Sequence, residues 1–274
     1  GMELYFKRHD GEAATTDDFV SAIAEGACIE GERLGFDLEQ FKRWYDQAGT
    51  PKVTVTRTWD STRGVLRLNL RQSTPPTPGQ PLKQPLVIPV LWAVIPANGE
   101  PGEEQLLVLD QEQNTVELGG FPCSDQPPAL SLFRQFSAPV HWEASQEPAE
   151  LFTLLACDND PFARWDAGQQ LWRRLLLARA SGTPNADLEG QMLDALTVLL
   201  APDGEQDPAV LSTLMAFPGG PELEALQQEA DPPALYRAAC ELREQFGQSL
   251  APLLRERLNL VEAALVLAWP EGQG

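Results

Sequence analysis

Histidine is nearly absent from this chain. The 274 residues hold two, His9 and His141. A zinc site of the H-E-x-x-H kind needs two imidazoles one helical turn apart, aimed at one ion, plus a third ligand. Here His9 is followed by Asp10 and Gly11, His141 by Trp142 and Glu143, and the two fall in different segments, so that motif is excluded and each is expected in a turn or at the surface. Cysteine is scarce as well. Cys28, Cys123, Cys157 and Cys240 are scattered, with no C-x-x-C. Such spacing argues against a disulfide framework or a zinc knuckle and predicts reduced, buried, small apolar side chains. No apolar run approaches about 18 residues, so no membrane span is expected.

Positive charge is short too. Twenty Lys and Arg face forty Asp and Glu, for a formal net charge of -20. A surface of that sign repels phosphate backbones and anionic lipid, which makes nucleic acid and membrane poor partners. G-x-S-x-G is missing, and with it the nucleophile elbow. No G-x-G-x-x-G follows a strand and no G-x-x-x-x-G-K-[ST] occurs, so phosphate cradles of those kinds are absent. Adjacent carboxylates at Asp17/Asp18 and Glu103/Glu104 are poor acid–base pairs, because neighbours on a helix do not face one another. The Ser/Thr-rich stretch 73–77 has no base beside it. On this reading the chain offers no catalytic, cofactor-binding or metal-binding residue of its own.

What is present is ample apolar material, 43% of residues, punctuated by 24 prolines and 21 glycines. That composition implies cores joined by many turns, in two or three domains. Residues 1–50 read as helical. Met2, Tyr5 and Phe6 already carry a helical face in the first eight residues, with no capping residue before them, as though the segment continued something longer. Thr15 and Asp18 form a capping box for a second helix bearing Phe19, Val20, Ile23 and Ala24, and Gly26 is its expected stop. Asp37, with Gln40 three residues on, caps a third helix predicted to bury Leu38, Phe41, Trp44, Tyr45 and Ala48 before Gly49-Thr50-Pro51 ends it.

Residues 51–146 change to period 2. Val53 and Val55 alternate with Thr54 and Thr56, and Leu66, Leu68 and Leu70 with Arg67, Asn69 and Arg71. Leu86–Ile95 is longer and more apolar, a central strand by composition, although Pro89 argues for a bulge or an edge. Asn98-Gly99 is expected to turn the chain toward a strand at Gln105–Leu109, and 115–118, 130–136 and 140–143 supply more. About seven short strands with Pro/Gly-rich turns predict a small β-sandwich. Ser73–Pro81 reads as a stiff surface loop.

Residues 147–274 return to helix. Asp160-Pro161, Asp207-Pro208 and Asp231-Pro232 share one device: Asp caps the free N–H groups while Pro takes the first helical position, where its missing donor costs nothing. Antiparallel amphipathic helices with short joins predict the start of an α-solenoid, without a strict repeat motif. A last helix is expected at Leu258–Trp269, with an apolar stripe of Leu260, Val261, Leu265, Val266 and Leu267 that needs a neighbour.

Several blocks resemble one family. Tyr5–Val20 (YFKRHDGEAATTDDFV) and Phe41–Pro51 (FKRWYDQAGTP) are similar to stretches of the bacterial aminopeptidase N family, gluzincin zinc metallopeptidases. Pro75–Gln80 with Lys83–Pro85, Phe136–Val140 and Asn159–Gln169 (NDPFARWDAGQ) follow in the same order. The resemblance is looser beyond about residue 185.

The resemblance implies a layout: residues 1–50 as the helical end of a thermolysin-like catalytic domain, 51–146 as the Ig-like sandwich, and 147–274 as the first part of an α-helical superhelix that closes over the active site. It implies zinc-dependent removal of N-terminal amino acids from peptides, in a cytoplasmic bacterial protein. The family's zinc ligands, general-base glutamate and oxyanion tyrosine all belong to a stretch with no counterpart here, so no role is carried onto any residue, Tyr5 included. This chain is therefore expected to be a non-catalytic piece, spacer and lid, holding no zinc and prone to self-association through its ends. The alternative is a stand-alone protein whose sandwich and helices bind a partner or a peptide. An in-frame H-E-x-x-H upstream of residue 1 would favour the first and a start codon at Met2 the second.

Overall fold

Thr15 and Asp18 lock the start of the second helix reciprocally. The Thr15 N–H donates to Asp18 Oδ2 at 2.9 Å, and the Asp18 N–H donates to Thr15 Oγ1 at 3.2 Å, as a capping box requires. The computed structural model describes residues 1–27, 35–96, 101–201 and 207–268, with side chains as far as residue 262. Three helices open the chain: α1 (Met2–His9), α2 (Thr16–Ala27) and α3 (Leu38–Asp46). Gly26 does not stop α2 but lies inside it. A side chain there would overlap the backbone of Gly1, so the glycine serves close approach of α1 and α2. Asp37 does cap α3, accepting from the Glu39 and Gln40 N–H groups. The burial expected of α3 is not found: no residue in it is fully buried and Tyr45 is 49% exposed. Polar side chains attach this helix instead. The helix stops at Asp46, three residues before Gly49, whose φ is +101°.

Among the described residues seven strands form two sheets, β5-β2-β1-β7 and β4-β3-β6. They are β1 (Lys52–Asp60), β2 (Val65–Ser73), β3 (Ile88–Ile95), β4 (Gln105–Leu109), β5 (Gln113–Leu118), β6 (Ala129–Leu132) and β7 (His141–Ala144). β1 pairs antiparallel with β2, Val55 opposite Leu70, and parallel with β7, Lys52 opposite His141. The alternation holds: Val53, Val55, Leu66, Leu68 and Leu70 are buried. Asp60 turns the β1–β2 hairpin by accepting from the Thr62 and Arg63 N–H groups and the Thr62 hydroxyl.

Pro89 lies in the middle strand of its sheet, β3, and not on an edge. It stands opposite Val108, and its carbonyl accepts from the Ser137 hydroxyl at 3.1 Å, while the Leu91 N–H donates to that same hydroxyl. A side chain thus stands in for ladder partners, and the missing proline N–H is not called on. The strand expected at 130–136 ends at Leu132 for the same reason. A 3₁₀ turn (Arg134–Phe136) follows, with Phe133, Gln135 and Phe136 all at φ near +54°, and it delivers Ser137 to β3. The turn expected at Asn98-Gly99 lies outside the described residues.

The chain divides into two compact units. The first comprises Gly1–Trp92, Glu104–Pro128 and Leu132–Ser145; the second comprises Ala93–Glu103, Ala129–Ser131 and Gln146–Gly274. The second contains α4 (Pro148–Cys157), α5 (Pro161–Ala180), α6 (Ala186–Leu199), α7 (Pro208–Met215), α8 (Gly220–Ala225) and α9 (Pro232–Ala268). The Asp-Pro caps form as expected. Asp160, Asp207 and Asp231 accept from the N–H groups of Ala163, Ala209 and Ala234, worth about 1 kcal/mol each. Leu151, Leu155, Leu171, Met192 and Leu242 build the core around Trp172, whose ring lies 4.7 Å from that of Phe217 and 5.3 Å from that of Phe246. The helix expected at 258–269 is the end of α9, which starts at Pro232 and runs through Pro252. Leu242, Phe246 and Leu250 are buried along it and hold it on course across the hydrogen bond that proline removes. Of its expected stripe, Leu260 is partly exposed, and the side chains of Leu265, Val266 and Leu267 lie outside the described residues.

Candidate functional site

The His9 ring stacks beside Tyr5, 5.4 Å between centroids, and His141 is exposed at the start of β7. Among the described residues no three of His, Cys, Asp and Glu converge as metal ligands. Cys123 is exposed, its thiol on the Thr62 carbonyl, where a buried side chain was expected; it sits on the loop after β5. Cys157 and Cys240 are half-buried and in no disulfide among the described residues, and Cys28 lies outside the described residues. Asp17 pairs with Lys42 at 3.2 Å. The carboxyl of Asp18 titrates below its ordinary range, chiefly because the Thr15 backbone N–H and then its hydroxyl bond to it. Glu104 accepts from Arg134 and Gln135, anchoring the 3₁₀ turn.

The densest polar construction in the first unit joins α3 to the loop before β3. Trp44 Nε1 donates to the Val87 carbonyl at 2.8 Å, and Arg43 and Gln40 both donate to that of Pro85. The Gln47 side chain makes two bonds to the Gln84 backbone, donating to its carbonyl and accepting from its N–H. Gln80 spans back to α3, donating to the Asp46 carbonyl and accepting from the Ala48 N–H. Lys83 closes the clamp: its ammonium donates to Ala48 O at 2.6 Å, Thr77 Oγ1 at 2.7 Å and Gln80 Oε1 at 2.8 Å. All of these acceptors are neutral oxygens. Two sequence blocks, 41–51 and 75–85, thus prove to be the two halves of one joint. Spacing along the chain hid this, because some thirty-five residues separate them.

The block Asn159–Gln169 is the corresponding feature of the second unit. Asp160 caps α5. Arg164 donates to the Leu155 carbonyl, and Gln169 reaches the Ala216 carbonyl at 2.8 Å. Burial holds the Arg164 guanidinium below its usual range, against the opposing pull of Asp158. Buried side chains here bond to backbone carbonyls, which leaves those carbonyls paired.

Known proteins resemble the chain along most of its length. Residues 49–145 match a domain of unknown function with an Ig-like fold (DUF3458), and residues 148–266 its companion, described as ARM repeats (DUF3458_C). Aminopeptidase N of Caulobacter vibrioides is 42% identical over 256 residues, 93% of this chain. The Escherichia coli and Haemophilus influenzae proteins of that name are 35% and 31% identical over 94% and 91% of it. The chain belongs to the aminopeptidase N family. It spans 28–29% of the length of those relatives. A crystal structure of Legionella pneumophila aminopeptidase A in complex with aspartic acid shares the fold, with a TM-score of 0.76 over 98% of this chain and 29% of that one at 23% identity. An Ig-like domain followed by an ARM-type helical domain is therefore the architecture. Among the described residues no helix is long and apolar enough to cross a membrane.

Proposed function

We propose that this chain is the non-catalytic framework of a longer zinc-dependent aminopeptidase that removes N-terminal amino acids from peptides in the bacterial cytoplasm. Residues 1–50 are then the helical end of the catalytic domain, 51–146 the sandwich spacer, and 147–274 the first part of the helical lid. One observation carries this reading: identity of 31–42% runs through more than nine-tenths of the chain yet under a third of each relative. The matched blocks support it, since their residues make joints and caps. The chemistry of such an enzyme needs a metal-activated water and a general base, and this reading assigns neither to a residue described here.

The test compares the 274-residue chain with the longest open reading frame that contains it. The chain alone is expected to carry far less than one zinc per molecule by plasma mass spectrometry and to leave an alanyl arylamide intact, while the longer polypeptide binds the ion and cleaves the arylamide. Zinc near one ion per chain, with hydrolysis that tracks it, overturns the proposal.

A further inference from the structure

Three oxygens close on the Lys83 ammonium: the Ala48 carbonyl at 2.6 Å, the Thr77 hydroxyl at 2.7 Å and the Gln80 side-chain carbonyl at 2.8 Å. None of the three is a carboxylate. An ammonium carries three N–H donors, so donors and acceptors match one for one. A water in the same place would bring two donors to three acceptors.

The cage is built by groups other than the lysine. Thr77 and Gln80 form an isolated antiparallel bridge, each N–H donating to the other's carbonyl, at 3.2 and 2.9 Å. Gly79, inside that turn, has φ +80°. The Gln80 amide is held twice: its Nε2 donates to the Asp46 carbonyl and its Oε1 accepts from the Ala48 N–H, both at 2.8 Å. Gly49 has φ +101°, and a Cβ there would stand 3.3 Å from the Thr77 methyl carbon. The end of α3 and the 77–80 turn therefore meet closely where the oxygens converge.

Oxygens fixed at these distances specify an ion. Mg²⁺ and Ca²⁺ call for shorter contacts, about 2.0–2.1 and 2.3–2.6 Å, and for carboxylates among the ligands. Uncharged carbonyl and hydroxyl oxygens suit a large monovalent cation, whose hydration shell they replace. We propose that this cage is a monovalent-cation site whose resident cation belongs to the chain: the Lys83 ammonium stands where a free ammonium or potassium ion binds once the side chain is shortened. The joint between α3 and the sandwich thus requires a cation yet draws none from solution. The inference goes beyond the framework reading and stands without it.

The test follows thermal unfolding of the whole chain in choline, potassium or ammonium chloride at one ionic strength, about 0.2 M. Lys83→Ala and Lys83→Ser empty the cage. Lys83→Met keeps a stem whose terminal methyl ends beside the cage and leaves no room for an ion. Midpoints are compared with the unsubstituted chain in the same salt, which removes general salt effects. Hydrogen exchange at the Ala48 N–H reads the cage locally.

Both truncated chains are expected to melt below the unsubstituted chain in choline and to recover about 2–4 °C in potassium or ammonium. Exchange at Ala48 should quicken about tenfold or more in choline and slow again with the ion. Lys83→Met should stay low in all three salts. Truncations that cost nothing in choline, or whose deficit is the same in every salt, overturn the proposal. So does a recovery that Lys83→Met shares. Failure of both truncations to fold in any salt also overturns it, because the cage is then not built without the lysine.

Discussion

The side chain of Gln72 and the backbone of Leu86 satisfy each other completely. Gln72 Nε2 donates to the Leu86 carbonyl at 2.8 Å, and the Leu86 N–H donates to Gln72 Oε1 at 2.8 Å. The same amide reaches the Leu109 and Gln111 carbonyls. Gln72 continues the inward stripe of β2 after Leu66, Leu68 and Leu70, and it is fully buried. One polar residue therefore ties β2 to β4 of the opposite sheet and to the segments just before β3 and just after β4.

Replacing Gln72 by Leu should be costly despite similar size. It strands the buried N–H and carbonyl of Leu86, at about 1–3 kcal/mol for each group left unpaired. A drop in melting temperature followed by circular dichroism checks this, and an unchanged melting temperature would show that the staple is dispensable.

Gly64 and Gly79 both have positive φ, +61° and +80°. A Cβ on Gly64 would overlap the Phe121 carbonyl oxygen, while one on Gly79 meets nothing within 4 Å. Gly79→Ala is expected to cost about 1 kcal/mol, the penalty of the left-handed backbone alone. Gly64→Ala should cost clearly more, because the hairpin must also shift. Equal denaturation midpoints for the two variants would contradict the geometry.

Asp166 gives a pH dependence of defined sign. Burial raises its carboxyl above the ordinary Asp range, more than its bond from Gln170 and the charge of Arg173 lower it. Folding therefore disfavours the ionised form. The penalty is absent below the unfolded-state pKa, grows as pH rises through the window up to the folded value, and is complete above it. Asp166→Asn should raise the melting temperature at pH 7 and leave it unchanged at about pH 3. A stabilisation of equal size at both pH values would assign the effect to packing.

Met2 and Phe6 are 50% and 56% exposed, one helical turn apart on α1, a helix of eight residues with none buried. So short a helix is marginal without a neighbour. Light scattering at rising concentration is expected to show association through this face or through the end of α9, where Leu258 and Leu260 are also exposed. Met2→Glu with Phe6→Lys should reduce it, and a clean monomer at high concentration would remove the expectation.

Local devices are legible in the amino-acid sequence alone. The Asp-Pro caps, the Thr15–Asp18 box and the alternation of Leu66, Leu68 and Leu70 each need only residues a few positions apart, and each forms. Devices made by distant residues are not. Leu132 stops its strand because Ser137 returns to Pro89 and Leu91, a partnership set by tertiary structure. The apolar residues of α3 point to a buried face, whereas Gln40, Arg43 and Gln47 do the attaching. The family resemblance marks both halves of the Lys83 joint, but only the folded chain brings them into contact.

Lys83 sets the conditions under which that joint persists. Its bonds run from a cation to the dipoles of uncharged oxygens, and mobile ions screen a dipole at contact distance poorly. The surface pairs Arg8–Glu25 and Lys52–Glu143 fade in brine. The seam between α3 and the sandwich is therefore expected to resist concentrated electrolyte better than those pairs.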